Sequence, residues 1–191
     1  MNKFRASYTV LRLWETGRWE DAVKAYFKLE QFTTRAMAEG KEYHEKWKEY
    51  IDKNKKLPKV FGGKKLKKPI TEKKIVVQLY DWLELVFIAD LIDEPVIYDF
   101  KTGTQSSGAY IETMQLPVYA MGLTLSDIFI NEGNILHYNQ HIKKSDQSKM
   151  KIDDSVVKQG LNWVETLAGE MHEYFRNNKL YDRFNKASVQ L

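Results

Sequence analysis

Asp90, Asp99 and Lys101 are the residues of this chain whose types and spacing could do chemistry together. They lie on two apolar runs, LVFIADLID and VIYDFKTG, joined through Glu94-Pro95. Pro95 cannot extend a central ladder, so the chain turns tightly between Asp93 and Val96. A two-residue loop and a four-residue loop give the same antiparallel register, and in it Asp90 stands opposite Asp99. Opposed residues there have Cβ atoms about 4.5 to 5.5 Å apart, where like charges repel. Alternation puts Lys101 on the face of Asp99, and Val86, Ile88 and Ile92 on the face of Asp90. Phe87, Ala89 and Leu91, with Val96, Tyr98 and Phe100, fill the other face, so both faces are apolar and the hairpin is central in its sheet. Carboxylates buried in this way need a partner. Two readings are open: a divalent cation bridging Asp90 and Asp99, for which hard oxygen ligands suit Mg2+ or Mn2+, or neutralisation of one carboxylate by Lys101 alone.

The elements that must position these residues follow from periodicity. From Ser7 to about Asp52 apolar residues recur at helical spacing with Gly17 as a break, which predicts two or three helices. Residues 53–73 read as a basic linker too polar and too rich in Gly and Pro for an element. KIVVQLY, LELVFIADLID and VIYDFKTG then predict a three-stranded antiparallel meander, with turns at Asp81-Trp82 and at Asp93-Glu94-Pro95. AYIETMQLPVYAMGLTL reads as helix, with Pro117 kinking it or marking its first turn. IFIN and ILHYNQHI suggest one or two strands, and residues 153–178 a long amphipathic helix opened by acidic caps.

Composition bounds the rest. The chain has 191 residues and no cysteine, so disulfides, cysteine nucleophiles and iron–sulfur clusters are excluded, and any metal binds through oxygen or imidazole. With 43% hydrophobic and 29% charged residues it reads as an ordinary globular domain with one active site. Charges interrupt the N-terminus too often for a secretory segment and no run is long enough to span a bilayer, so a cytoplasmic protein with no membrane partner is expected. The net charge of +4 is uneven: residues 53–74 hold ten lysines and one glutamate, leaving −5 for the remainder. Lys64, Lys65, Lys67 and Lys68 within it are candidates for contact with a phosphate backbone, and a solvated loop is the equal alternative.

Taken in order, ADLID, YDFKTG and QLPVY resemble the RecB-type branch of the PD-(D/E)xK nucleases, in which a strand aspartate precedes D-x-K-T-G and then Q-x-x-x-Y on a helix. Upstream, GKEYH, from Gly40 to His44, resembles the G-x-x-x-H helix of that family. The resemblance implies a restriction-endonuclease-like α/β (α+β) fold: a central mixed sheet containing the meander, flanked by helices, as one nuclease domain over residues 1–191. It implies that Asp90 and Asp99 bind metal with His44, that the Phe100 carbonyl completes the coordination, and that Lys101 orients or activates the attacking water. Gln115 and Tyr119, four apart on one helix face, would position DNA or the lysine, or else pack that helix on the sheet. His137, His141 and His172 match no motif and read as structural. The implied activity is a Mg2+- or Mn2+-dependent deoxyribonuclease, an exonuclease of DNA processing, recombination or repair, of the cluster-free kind found in phages and mobile elements. A catalytically inactive nucleic-acid-binding module and a structure- or sequence-guided endonuclease are the alternatives. DNA is the expected partner; a homo-oligomer or a recombination partner protein stays open.

Overall fold

A computed structural model describes residues 3–29 and 35–185. The run from residue 70 to 102 folds as the expected meander: β2 (Ile70–Tyr80), β3 (Leu83–Asp93) and β4 (Val96–Thr102). Both turns hold two residues. Three more strands join the same mixed sheet. A short β1 (Phe4–Ala6) runs parallel to the start of β3, β5 (Glu132–Asn139) runs parallel to β4, and β6 (Lys144–Lys151) closes the edge antiparallel to β5.

Helices cover both faces. The three N-terminal helices are α1 (Tyr8–Glu15), α2 (Trp19–Phe27) and α3 (Arg35–Asn54). The stretch expected as one helix after the meander is two, α4 (Ser107–Ile111) and α5 (Gln115–Thr124), and Pro117 sits in the first turn of α5, where its missing N–H costs nothing. The long helix is α6 (Asp154–Asn177), capped by Asp153, whose carboxylate accepts from the Ser155 and Val156 amides, and α7 (Leu180–Asn185) follows.

Two cores lie on opposite faces of the sheet. The larger gathers Phe4, Leu85, Phe87 and Ala89 with α1, α5 and α6; the smaller gathers Leu91, Tyr98 and Phe100 with Trp47 and Ile51 of α3 and with Leu57 and Leu66. Phe87 and Ala89 therefore do not share a face with Leu91, Tyr98 and Phe100, as strict alternation requires. On β3 the larger core takes Ala89 and then Ile92, so two residues intervene instead of one, and the strand changes phase at Asp90. Opposite Asp90, between the Thr71↔Leu91 and Lys73↔Ala89 pairs, stands Glu72 with φ of 50°, a backbone region that non-glycine residues rarely enter.

Residues 55–69 are more ordered than a linker. They contain a single 3-10 turn over Lys59–Phe61, a bridge between Lys56 and Lys65, and the core residues Leu57 and Leu66. The buried Asp93 carboxylate accepts from the Lys67 and Lys68 amides at 2.8 and 2.7 Å. IFIN is not a strand, and β6 was invisible to periodicity because KSDQSKMK has no apolar face.

Candidate active site

The β3–β4 ladder follows the register that the turn demands, pairing Asp93↔Val96, Ile92↔Ile97 and Leu91↔Tyr98. Asp90 and Asp99 would be the next pair, but the ladder ends before them and the strands part. β2 occupies one edge of β3 along almost its whole length, and β1 takes the other edge only at Leu83 to Leu85. A notch is left beside residues 86–90, into which β4 continues toward Lys101. Asp90 turns its Oδ2 to the Phe100 amide, which donates to it at 2.8 Å. Asp99 is buried on the side of α5, where Gln115 Nε2 donates to its Oδ1 at 2.8 Å and also to the Tyr119 hydroxyl at 3.1 Å. Lys101 Nζ lies 2.8 Å from Asp99 Oδ2 and 5.7 Å from the centroid of the Tyr110 ring. The Lys101 ammonium is the partner of this buried Oδ2, which accepts no other hydrogen bond.

The helix α3 brings His44 to the same place. Trp47 and His44 pack on the Phe100 ring, and a Cβ at Gly40 would stand 2.8 Å from Thr102 Oγ1, so the helix passes close against β4 there. His44 Nδ1 then lies 3.7 Å from Asp90 Oδ2. His44, Glu72 and Asp90 each offer one ligand atom, all within 4.8 Å of one another. Glu72 escaped the sequence reading for a definable reason. The turn at Asp81-Trp82 alone would set Lys73 opposite Asp90; an irregularity between Gln78 and Tyr80 shifts the register by one and brings Glu72 there.

Burial and charge act together on these groups. Burial, then the Asp99 carboxylate, push the Asp90 carboxyl well above the usual range, against the opposing pull of Lys101 and the Phe100 amide. Burial also raises Glu72 and lowers His44, which favours the neutral imidazole that a metal requires. For Lys101 burial works against the charge, yet Asp99 and Asp90 outweigh it and its pKa is raised, so the ammonium persists. Behind the site, burial and the two aspartates hold the Tyr119 phenol far up in its neutral form.

The fold is similar to that of an alkaline exonuclease. LHK-Exo, the alkaline exonuclease of Laribacter hongkongensis, matches with a TM-score of 0.53 over 98% of this chain and 95% of its own, at 10% identity. Its complex with dAMP gives 0.54 over 97% and 94%, at 11% identity. SSO0001 gives 0.52 over 87% of this chain and 78% of its own, at 14% identity. At such identities the likeness is one of fold. No family model and no curated protein sequence matches the chain.

Asp90, Asp99, Lys101, His44 and Phe100 thus come together as expected from the motifs. Gln115 and Tyr119 are there too, but buried behind Asp99, so what they position is that carboxylate. The four lysines are elsewhere. Lys64 donates to the Tyr98 hydroxyl at 3.1 Å, and neither it nor Lys65, Lys67 and Lys68 lines the cleft of about 780 Å³ over the site. The lysines that do are Lys41 and Lys48 of α3, besides Lys101. Their spacing with His44, at i, i+3 and i+7, was a legible signal of one helix face. His137, which fits no motif, braces the loop after Lys101: one ring nitrogen is 3.0 Å from the Gly103 carbonyl, the other 2.5 Å from Asp146, which also accepts from the Ser107 amide.

Proposed function

We propose that this chain is a divalent-metal-dependent DNA nuclease of the PD-(D/E)xK kind, acting as an exonuclease. The observation that carries this is the convergence of Asp90, Asp99 and Lys101 at the point where β3 and β4 part, with His44 and Glu72 delivered to the same notch. The donor set fits a hard cation: carboxylate oxygens, one imidazole held neutral, and a buried Asp99 oxygen whose partner is the Lys101 ammonium alone. Asp90 and Asp99 would hold it, with His44, Glu72 and the Phe100 carbonyl around them. Bound there, it would stabilise charge on the scissile phosphate and acidify a water.

The remaining chemistry belongs to the protein. Lys101 keeps its ammonium among carboxylates, where it orients a water for in-line attack and offsets charge that builds on the phosphate. Gln115 locks Asp99, and the Phe100 amide locks Asp90, so neither carboxylate has to reorganise during the reaction. Lys41 and Lys48, which pair with Glu45 at 3.9 Å and Asp52 at 2.7 Å, are the cations of the cleft wall that a phosphate backbone could recruit. That an alkaline exonuclease and its dAMP complex share this fold favours DNA as the substrate class.

The test is cleavage of 5′- and 3′-labelled linear and circular DNA in Mg2+, Mn2+ or EDTA. Release of mononucleotides or short products from linear DNA only, abolished by EDTA, is expected. Asp99→Ala should remove activity, and Lys101→Ala should lower it by about 10²- to 10⁴-fold with the fold intact. Wild-type rates in either variant would overturn the site, and metal-independent binding without cleavage would favour an inactive nucleic-acid-binding module.

A further inference from the structure

Next to the notch, the sheet face that carries Asp90 is bare. Ile88 of β3 and Val76 of β2 are each 49% exposed, although they flank the candidate cation ligands Asp90 and Glu72 along the same strands. This corrects the expectation that both faces of the hairpin are covered. Follow that face away from the cleft and the charge changes sign. Glu72 and Lys74 are two residues apart on β2, about 7 Å, and Lys74 pairs with Ile88. Lys74 and Val86 form the near wall of a second pocket, of about 630 Å³, whose other cations are Lys3, Arg5 and Lys28. Its described lining contains no carboxylate. Glu84 pairs with Arg5 at 2.5 Å, and Lys3 is fixed by Gln78, so two of the cations are held in place rather than free to wave. The far wall is Tyr26, whose hydroxyl accepts from the Arg5 amide.

An acidic cation site, an open apolar step and a basic pocket thus lie in line on one sheet face. Val86 is four strand residues from Asp90, about 13 Å. That spacing equals about four base-pair rises of 3.4 Å along a duplex axis. A nucleic-acid strand, with apolar sugars and bases between its phosphates, complements this sequence of exposed Val, Ile and positive charge. We propose that the pocket formed by Lys3, Arg5, Lys28 and Lys74 binds a second phosphate of the DNA strand whose scissile phosphate lies at Asp90, and that Val76 and Ile88 carry the strand between the two. The occupant rests on the nuclease reading above; the basic pocket itself does not.

The experiment uses the full chain in EDTA, with a short fluorescein-labelled single-stranded oligonucleotide, followed by anisotropy over a range of salt. Lys28→Asn with Lys74→Gln removes two charges; asparagine tolerates the left-handed backbone at Lys28, where φ is 55°. Binding should weaken and the slope of log K against log salt should flatten by about 1.4, or about 0.7 for Lys74→Gln alone, should the double variant fold poorly. Lys74→Arg should keep the slope. The control, Lys144→Gln with Lys151→Gln on the far edge strand, should change neither. In metal, the pocket variant should raise KM and hold kcat. An unchanged slope, or an equal loss in the control, overturns the pocket while leaving cleavage by the wild type to stand. If the wild type binds with a pocket-dependent slope yet never cleaves, the nuclease reading fails and the pocket survives. If it binds no DNA, both fall.

Discussion

Asp90 is costly to the free protein. Its carboxyl is buried, and Asp99 is next to it, so the folded state holds the Asp90 proton more tightly than the unfolded chain does. A group of this kind costs nothing below its unfolded pKa, about 3.9, and its cost grows as pH rises through the elevated folded value. In EDTA at pH 7 to 8, Asp90→Asn should therefore melt about 2 to 4 °C above the wild type, the shift that goes with roughly 1 kcal/mol in a chain of this size. Near pH 4 the advantage should vanish. A constant difference across that range would mean that Asp90 is not strained by its ionisation. The same substitution should remove cleavage, so the residue would exchange stability for function. The register of β3 with β4 as far as Leu91↔Tyr98 was legible in the sequence because Pro95 pins the turn and the turn pins the register; that the strands part at Asp90 and Asp99 was not. The identity of the neighbour on the other strand was not, since nothing in KIVVQLY marks the irregularity that brings Glu72 into place, and no side-chain pattern announces a positive φ.

Elements are placed here by glycines that admit a close approach. A Cβ at Gly160 of α6 would stand 2.3 Å from the Pro117 carbonyl oxygen of α5, backbone that cannot step aside. At Gly40 the obstacle is only the Thr102 hydroxyl, which a rotation can remove. Gly160→Ala should accordingly cost about 1 to 3 kcal/mol in chemical denaturation, an overpacking penalty. Gly40→Ala should cost less stability but weaken metal binding, because α3 carries His44 on the turn that follows, and adding Thr102→Ala should restore part of the affinity. Equal stability losses at the two positions would contradict this contrast. Among the elements, those that bury an alternating or helical face were readable: the meander, α6 and the N-terminal helices. Short or solvated ones were not. β1 is three residues of Phe-Arg-Ala, and β6 is a polar edge strand, held by its ladder to β5 and by Asp146 and Ser148 on Ser107, and polar as an edge that avoids aggregation is expected to be.

On the scale of the whole molecule, a ligand that relieves native repulsion shifts the folding equilibrium. Mn2+ at a hundred times its dissociation constant should add about 2.7 kcal/mol, read as a rise in melting temperature of roughly 5 to 10 °C. The rise should disappear in Asp99→Ala; its persistence there would place the ion elsewhere. The lysine-rich stretch, which carries the chain's charge asymmetry, is where structure departs most from the sequence reading, because composition reports polarity and is blind to Asp93 accepting from two successive amides and to Leu57 and Leu66 reaching into a core. Fastened in this way, the stretch has a practical property. Trypsin must thread an extended segment through its cleft, so Lys64, Lys65 and Lys67, none of them followed by proline, should be cut only when the local fold opens. In limited digestion of the native protein, nicks at these three positions should be slow and should accelerate with denaturant. Asp93→Ala, which leaves both amides without their acceptor, should turn the same lysines into the earliest points of cleavage.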